Sequence, residues 1–263
     1  MEGSTKLARE LKSFDGLWKG GYFEGDPLDP FGRSGYGELG FMSILHATYL
    51  RCIKPYVGPA TVALEIGPGR GAWTKTLLPS KEVWALDALS AEHNGFFAYV
   101  GSPDNLTYIQ VEDFSCRDLP SDHFTYMFSF GALCHVSFDG ISQYARNLFP
   151  KLRSGAVCFW MYADYDKYNE AVASLEGRSP TSLPRAVNRW RHRVPSLLQR
   201  LAGVRARTPV ALAPDADMTP SPGRWYHAGR ARMGAMLEDT GYIVLDEDVG
   251  TCLRDPIVHF VRP

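Results

Sequence analysis

Between residues 61 and 163 short apolar runs alternate with stretches that mix polar and apolar positions. The runs read TVALEI, EVWALD, LTYIQV, YMFSFG and AVCFWMYA. The first and the last two are apolar almost throughout, the pattern of strands covered on both faces. The stretches between them, AWTKTLLP, SAEHNGFFAYV and GISQYARNLFPKL, can carry helices. Such alternation predicts βαβ units, hence a mostly parallel α/β sheet with helices on both faces. Further on, AGRARMGAMLEDTGY predicts a helix ending at Gly241, and IVLDEDV and PIVHFV predict a closing antiparallel hairpin. No internal repeat is present.

Two segments depart from this rhythm. Residues 1–57 start with a polar helix and continue as GLWKGGYFEGDPLDPFGRSGYGELG, rich in glycine, proline and aromatics. Trp18, Tyr22, Phe23, Phe31 and Tyr36 need something to cover: the flank of the domain, or a ligand site under a lid. Within the main domain, 58–263, an insertion at 168–222 carries eight arginines, with no acid between Gly177 and Pro214. It reads as a solvated basic face, a dimer contact, or a grip on an anionic or polyhydroxy substrate.

Composition narrows the classes. The chain has 263 residues, 45% of them hydrophobic, and a net charge of -1. That suits one sizeable core and gives no general attraction to nucleic acid or anionic membrane. The charged start, MEGSTKLARELKSF, lacks the apolar core of a signal peptide, and no stretch approaches the roughly 20 apolar residues of a membrane span. A cytoplasmic location is expected. Five scattered cysteines without a CxxC pair fit reduced thiols better than zinc or disulfides.

The chemistry starts at ALEIGPGRGAW, residues 63–73. A glycine-rich turn from strand to helix lets a ligand approach the backbone closely, at the crevice where doubly wound sheets bind nucleotides. Gly67, Gly69 and Ala72 satisfy the G-x-G-x-x-A dinucleotide spacing, and Asp87 follows about 20 residues on. Spacing alone therefore leaves NAD(H), and an oxidoreductase, open. Glu65 before the glycines suits an ammonium group better than a pyrophosphate. Glu112 and Asp113 after the third run could read an adenine edge.

With EIGPGRG, Asp87, VEDF, YMFSFGALCHV and LRSGAVCFWM in this order, the chain resembles the Rossmann-like class I S-adenosylmethionine-dependent methyltransferases over roughly 58–165 and 225–263. The resemblance implies a seven-stranded sheet with the last strand antiparallel. It implies S-adenosylmethionine as cofactor, leaving as S-adenosylhomocysteine. Gly67, Gly69 and Gly71 would then hold the methionyl part, with Glu65 near its amino group. Asp87 would take the ribose hydroxyls, and Asp113 and Phe114 the adenine. The segment GYFEGDPLDPFGRSGYGELG is faintly similar to bacterial sugar and polysaccharide methyltransferases.

Methyl transfer to a hydroxyl needs a base for the departing proton. His135, just after the fourth run, and His227, at the start of the last helix, are the candidates. Tyr22, Asp164, Asp166 and Tyr226 are candidate acceptor contacts. The two aspartates leave a divalent metal open, although their spacing does not indicate one. The expected acceptor is a small molecule or oligosaccharide bearing a hydroxyl. Rival readings are N-methylation of an amino-acid-like amine, for which Asp164, Asp166 and Glu24 would bind the cation, and a non-catalytic scaffold. No nucleic-acid or membrane partner is expected, and a homodimer is compatible with the lid and the insertion.

Overall fold

Seven strands form one sheet in the order β3-β2-β1-β4-β5-β7-β6. They are β1 Val62–Ile66, β2 Glu82–Asp87, β3 Leu106–Gln110, β4 Phe124–Ser129, β5 Leu152–Met161, β6 Ile243–Asp246 and β7 Ile257–Val261. The first five run parallel, and β7 enters antiparallel between β5 and β6. This computed structural model describes residues 7–16, 18–32, 42–170, 225–252 and 255–263. The arginine-rich insertion lies outside the described residues from residue 171, as does Tyr36.

The runs read as apolar throughout are the three central strands. β1 is buried at every position, and β4 and β5 bury most of theirs. The outer strands alternate instead. On β6, Ile243 and Leu245 point outward and are about half exposed (49% and 55%). Alternate residues of the central strands feed two cores. Leu64, Met127 and Trp160 face α5 Phe138–Leu148 and α6 Arg230–Thr240 through Ile141, Leu148, Met233 and Leu237. Ala63, Phe128 and Phe159 face Ile53, Trp73 and Leu77. Ile53 ends the wide helical turn that continues α1 Ile44–Thr48, and Leu77 ends α2 Thr74–Leu77. Among the described residues no helix is long and apolar enough to cross a membrane.

Three boundaries differ from the sequence pattern, each for a local reason. The helix expected over 90–100 is split by Gly95, which takes φ 59° and caps α3 Ala91–Asn94 before α4 Phe96–Val100 begins. Strand β5 starts four residues early, because a bulge around Arg153–Ala156 carries its polar residues between two paired stretches. Strand β4 stops at Ser129 instead of continuing through Phe130 and Gly131. Ser129 Oγ donates to Ile66 O at 3.0 Å, and Gly131 then turns away with φ 73°. That early exit opens the crevice described below.

Because Phe128 is fully buried between Trp73 and the sheet, Phe128→Ala should cost about 3–5 kcal/mol. Thermal melting should show it as a Tm lowered by roughly 6–20 °C. Leu245→Ala on the edge strand should change stability by less than about 0.5 kcal/mol.

Candidate functional site

The crevice opens where β1 and β4 lie side by side and their continuations diverge. After β1 the chain enters α2 on one face, and after β4 it enters α5 on the other. Ligands of open α/β sheets bind at such a switch point. A cavity of about 710 Å³ lies there, with Gly67, Gly69, Asp87, Phe130, Gly131 and His135 in its wall.

The glycine turn is shaped first by the protein's own packing. A Cβ on Gly67, at φ 71°, would stand 2.1 Å from Ala132 Cβ, so only glycine lets the two strand exits meet. A Cβ on Gly71 would stand 2.2 Å from Val100 Cγ2. Gly71 therefore faces α4, not the cavity, which differs from the role that the family resemblance implies for it. Gly69 faces the lid, with the Tyr22 carbonyl 3.3 Å from a Cβ built on it.

The segment from Glu10 to Glu24 roofs the cavity and is tied down along its length. Glu10 accepts from the Ser137 N–H and hydroxyl, both at 2.6 Å, at the start of α5. Burial raises the Glu10 pKa despite these bonds. The Trp18 carbonyl lies 3.0 Å from His93 Nε2, and Gly21 N donates to Asn94 Oδ1 at 3.1 Å. Arg70 N reaches the Tyr22 carbonyl at 3.4 Å. Trp18 and Tyr22 line the cavity, whereas Phe23 packs on Tyr99. The lid aromatics therefore divide, some rings lining the cavity and Phe23 packing on the domain's flank.

Asp87 stands at the cavity edge. Its Oδ2 accepts from Gly69 N at 3.0 Å and its Oδ1 from Leu89 N at 2.9 Å. The Asn94 side chain and the Ala88 N–H add to these donors. Burial raises the Asp87 pKa, against these hydrogen bonds. Glu65 lies beneath the turn, not in the wall, and accepts from Thr74 Oγ1 at 2.6 Å. Its pKa is pushed up to about 8, first by burial and then by the charges of Asp87 and Glu24, with the Thr74 bond opposing. Glu24 hangs from the lid into the same space, and burial raises its pKa too. Trp73 is 3% exposed and lines the cavity, with no acceptor for its Nε1–H.

Other expected site residues sit elsewhere. Asp113 accepts from Ser115 N at 2.8 Å and pairs with Arg117, and these Ser115 and Arg117 contacts hold its pKa low. Phe114 is buried in the core against Tyr144. Neither lines the cavity. At the place expected for them the lid supplies Leu11 and Phe14, while Lys12 pairs with Glu112 at 2.7 Å. A polar helix gave no sign that one of its faces would cover this crevice.

His135 does line the cavity, its ring 4.7 Å from Trp18 and 6.5 Å from Trp225. His227 stands at the border of the insertion, outside the cavity wall. Its Nδ1 accepts from Tyr165 N at 3.0 Å, which leaves the ring proton on Nε2 and no lone pair for a base. Asp164 Oδ1 accepts from the N–H groups of Asp166 and Lys167, capping a helical stretch at 165–170. Its Oδ2 lies 3.3 Å from Arg230 Nε. Asp164, Asp166 and His227 bring ligand-type atoms within 4.8 Å of one another, but backbone donors already hold His227 Nδ1 and Asp164 Oδ1. Tyr226 donates its N–H to the Cys134 carbonyl at 3.0 Å. Of its neighbours it is Trp225, not singled out by the sequence, that reaches the cavity.

The raised Glu65 pKa has a sign. The folded chain holds a proton that the unfolded chain releases above about 4.5. Stability without ligand should therefore fall between about pH 4.5 and 8, by up to about 1.4 kcal/mol per pH unit. Denaturant unfolding across this range should show a flatter slope for Glu65→Gln.

No family model and no curated protein matches this chain. Among solved structures it is similar to an S-adenosylmethionine-dependent methyltransferase from Mesorhizobium loti, with TM-score 0.49 and 18% identity over 79% of this chain and 93% of that one. Magnesium protoporphyrin IX methyltransferase from Synechocystis, with bound S-adenosylhomocysteine, gives 0.45 and 13% over 78% and 75%. The mitomycin 7-O-methyltransferase MmcR gives 0.47 and 13% over 78%, this chain spanning about half (49%) of that protein. By its strand order, its antiparallel β7 and the glycine turn after β1, the chain has the Rossmann-like fold of class I S-adenosylmethionine-dependent methyltransferases.

Proposed function

We propose that the chain is an S-adenosylmethionine-dependent methyltransferase acting on a hydroxyl of a small molecule, with a saccharide as the first choice of acceptor. The cavity over the glycine turn carries the reading. Two carboxylates, Glu24 and Asp87, line it. A pyrophosphate would meet like charge there, whereas a nucleoside bearing an amino acid and a positive charge meets opposite charge.

The residues present fit that cofactor. Gly67 and Gly69 leave the floor open for close approach, the Asp87 carboxylate lines the cavity where ribose hydroxyls would donate to it, and the Trp73 N–H has no acceptor among the described residues. When bound, the cofactor supplies an electrophilic methyl group on sulfur. His135 would take the acceptor's proton as the new C–O bond forms, and Trp18 and Trp225 beside it would pack on the C–H faces of a sugar ring. The lid would exclude water from this space. N-methylation of an amine has less support, since the Asp164 carboxylate is engaged at a helix start and only Glu24 of its three acids reaches the cavity.

Calorimetric titration should show S-adenosylhomocysteine binding and no binding of NADH; the reverse would make the protein an oxidoreductase. Incubation of metabolite pools with methyl-labelled cofactor, read by mass and methyl position, would identify the acceptor. His135→Ala should lower turnover by roughly 10²–10⁴-fold near neutral pH. Turnover unchanged at every pH would remove histidine as the base.

A further inference from the structure

Glu24 has no part in shaping the turn or in taking the acceptor's proton, yet it lines the cavity. Its Oε1 lies 2.7 Å from the position of a Cβ on Gly131, so it is pressed against the exit of β4. Asp87 lies on the β2 side, where the donor's nucleoside belongs in the reading above. Trp18, His135 and Trp225 lie toward α5, where the acceptor belongs. A group passing from donor to acceptor must travel between these two ends, past Glu24.

Among the described residues Glu24 makes no ion pair, and the one hydrogen bond to its carboxylate comes from its own backbone. A carboxylate partly withdrawn from water without a counter-charge is costly unless a cation arrives with a ligand. The second sign of a ligand is independent of it. Trp73, a ring 3% exposed, lines the same cavity, and among the described residues its buried Nε1–H has no acceptor. Buried indole N–H groups ordinarily find one. A cation beside Glu24 and a hydrogen-bond acceptor beside Trp73 describe a ligand that carries both groups.

We propose that Glu24 reads the charge on the donor's sulfur, so that the lid binds the sulfonium donor in preference to the uncharged thioether product. The inference rests on the methyltransferase reading of the site. As the methyl group passes to an acceptor oxygen, the methyl–sulfur bond breaks and its electron pair stays on sulfur. The acceptor's proton goes to His135, and sulfur becomes neutral. The attraction between Glu24 and sulfur, strong in a water-poor cavity, then disappears. The lid segment that carries Glu24 thereby loses part of its hold, and product leaves more readily than donor. The amino-acid tail is the same in both ligands, which differ only in the methyl group and the charge it places on sulfur, and Glu24→Gln removes the carboxylate charge at nearly constant shape.

The test is calorimetric titration of the full chain with S-adenosylmethionine and S-adenosylhomocysteine, with thermal melting to establish that each variant is folded. Wild type should bind the donor about tenfold more tightly than the product. Glu24→Gln should remove this preference through weaker donor binding, with product affinity within about twofold of wild type. Glu24→Asp should retain part of the preference. Trp73→Phe should weaken both ligands by a similar factor, because both carry the same carboxylate. Wild type without a preference overturns the proposal, whether or not the variants fold. So does a Glu24→Gln variant that loses both ligands equally or neither, and in those cases the methyltransferase reading stands. If wild type binds neither ligand, that reading fails and the proposal fails with it.

Discussion

The contact between Gly67 and Ala132 is the constraint on which the site depends. β1 and β4 are neighbours in the sheet, but their exits leave for opposite faces. The two exits still have to meet at the base, or the crevice would open into the core. A glycine at the end of β1 lets Ala132 close to van der Waals distance. With that base closed, the cavity is floored by backbone, walled by β2 and the start of α5, and roofed by the lid. The pressure on Gly67 comes from the protein's own chain before any ligand arrives. Gly71, held by Val100 and Phe96, shows the same principle one turn later.

The floor is closed by packing, and the walls are set by charge. Glu24, Glu65 and Asp87 come from three different parts of the chain, and burial raises the pKa of each. Burial in a partly dry space opposes ionisation of these groups, and Glu65 keeps its proton up to about pH 8. Thr74, the backbone of the turn and Leu89 answer for part of that cost, through hydrogen bonds to Glu65 and Asp87. Glu24 receives no such help beyond its own backbone. A chain that tolerates this arrangement without ligand is built to gain from a positive charge, which links the electrostatics of the unliganded cavity to the donor proposed for it.

The lid connects the two. Its bonds to Ser137, Asn94 and Arg70 run from α5 across the crevice to the glycine turn. Its aromatics divide their tasks accordingly. Trp18 turns inward beside His135, while Phe23 stays outside on Tyr99, where the Arg70 guanidinium also lies over the ring. Moving the lid therefore moves Glu24 and Trp18 together, on the donor and acceptor sides of one cavity.

The order of strands and helices was legible because burial on two faces demands unbroken apolar runs, and TVALEI, YMFSFG and AVCFWMYA declare themselves in one dimension. The glycine turn and Asp87 were legible for a similar reason, as their chemistry depends on positions a fixed distance apart along the chain. Pairings across the fold were not. Nothing in LARELKSF shows that Glu10 caps α5 or that Leu11 and Phe14 occupy the end of the crevice expected for Asp113 and Phe114. Nor does the local sequence RWYHAGR mark Trp225 as a wall of the cavity while His227 serves a helix start. Sequence alone determined the class of sheet, the turn and the acid after β2, since these follow from periodicity and short-range spacing. Only the tertiary structure decided which acids, rings and histidine share one cavity, because that depends on long-range packing between segments up to about 200 residues apart.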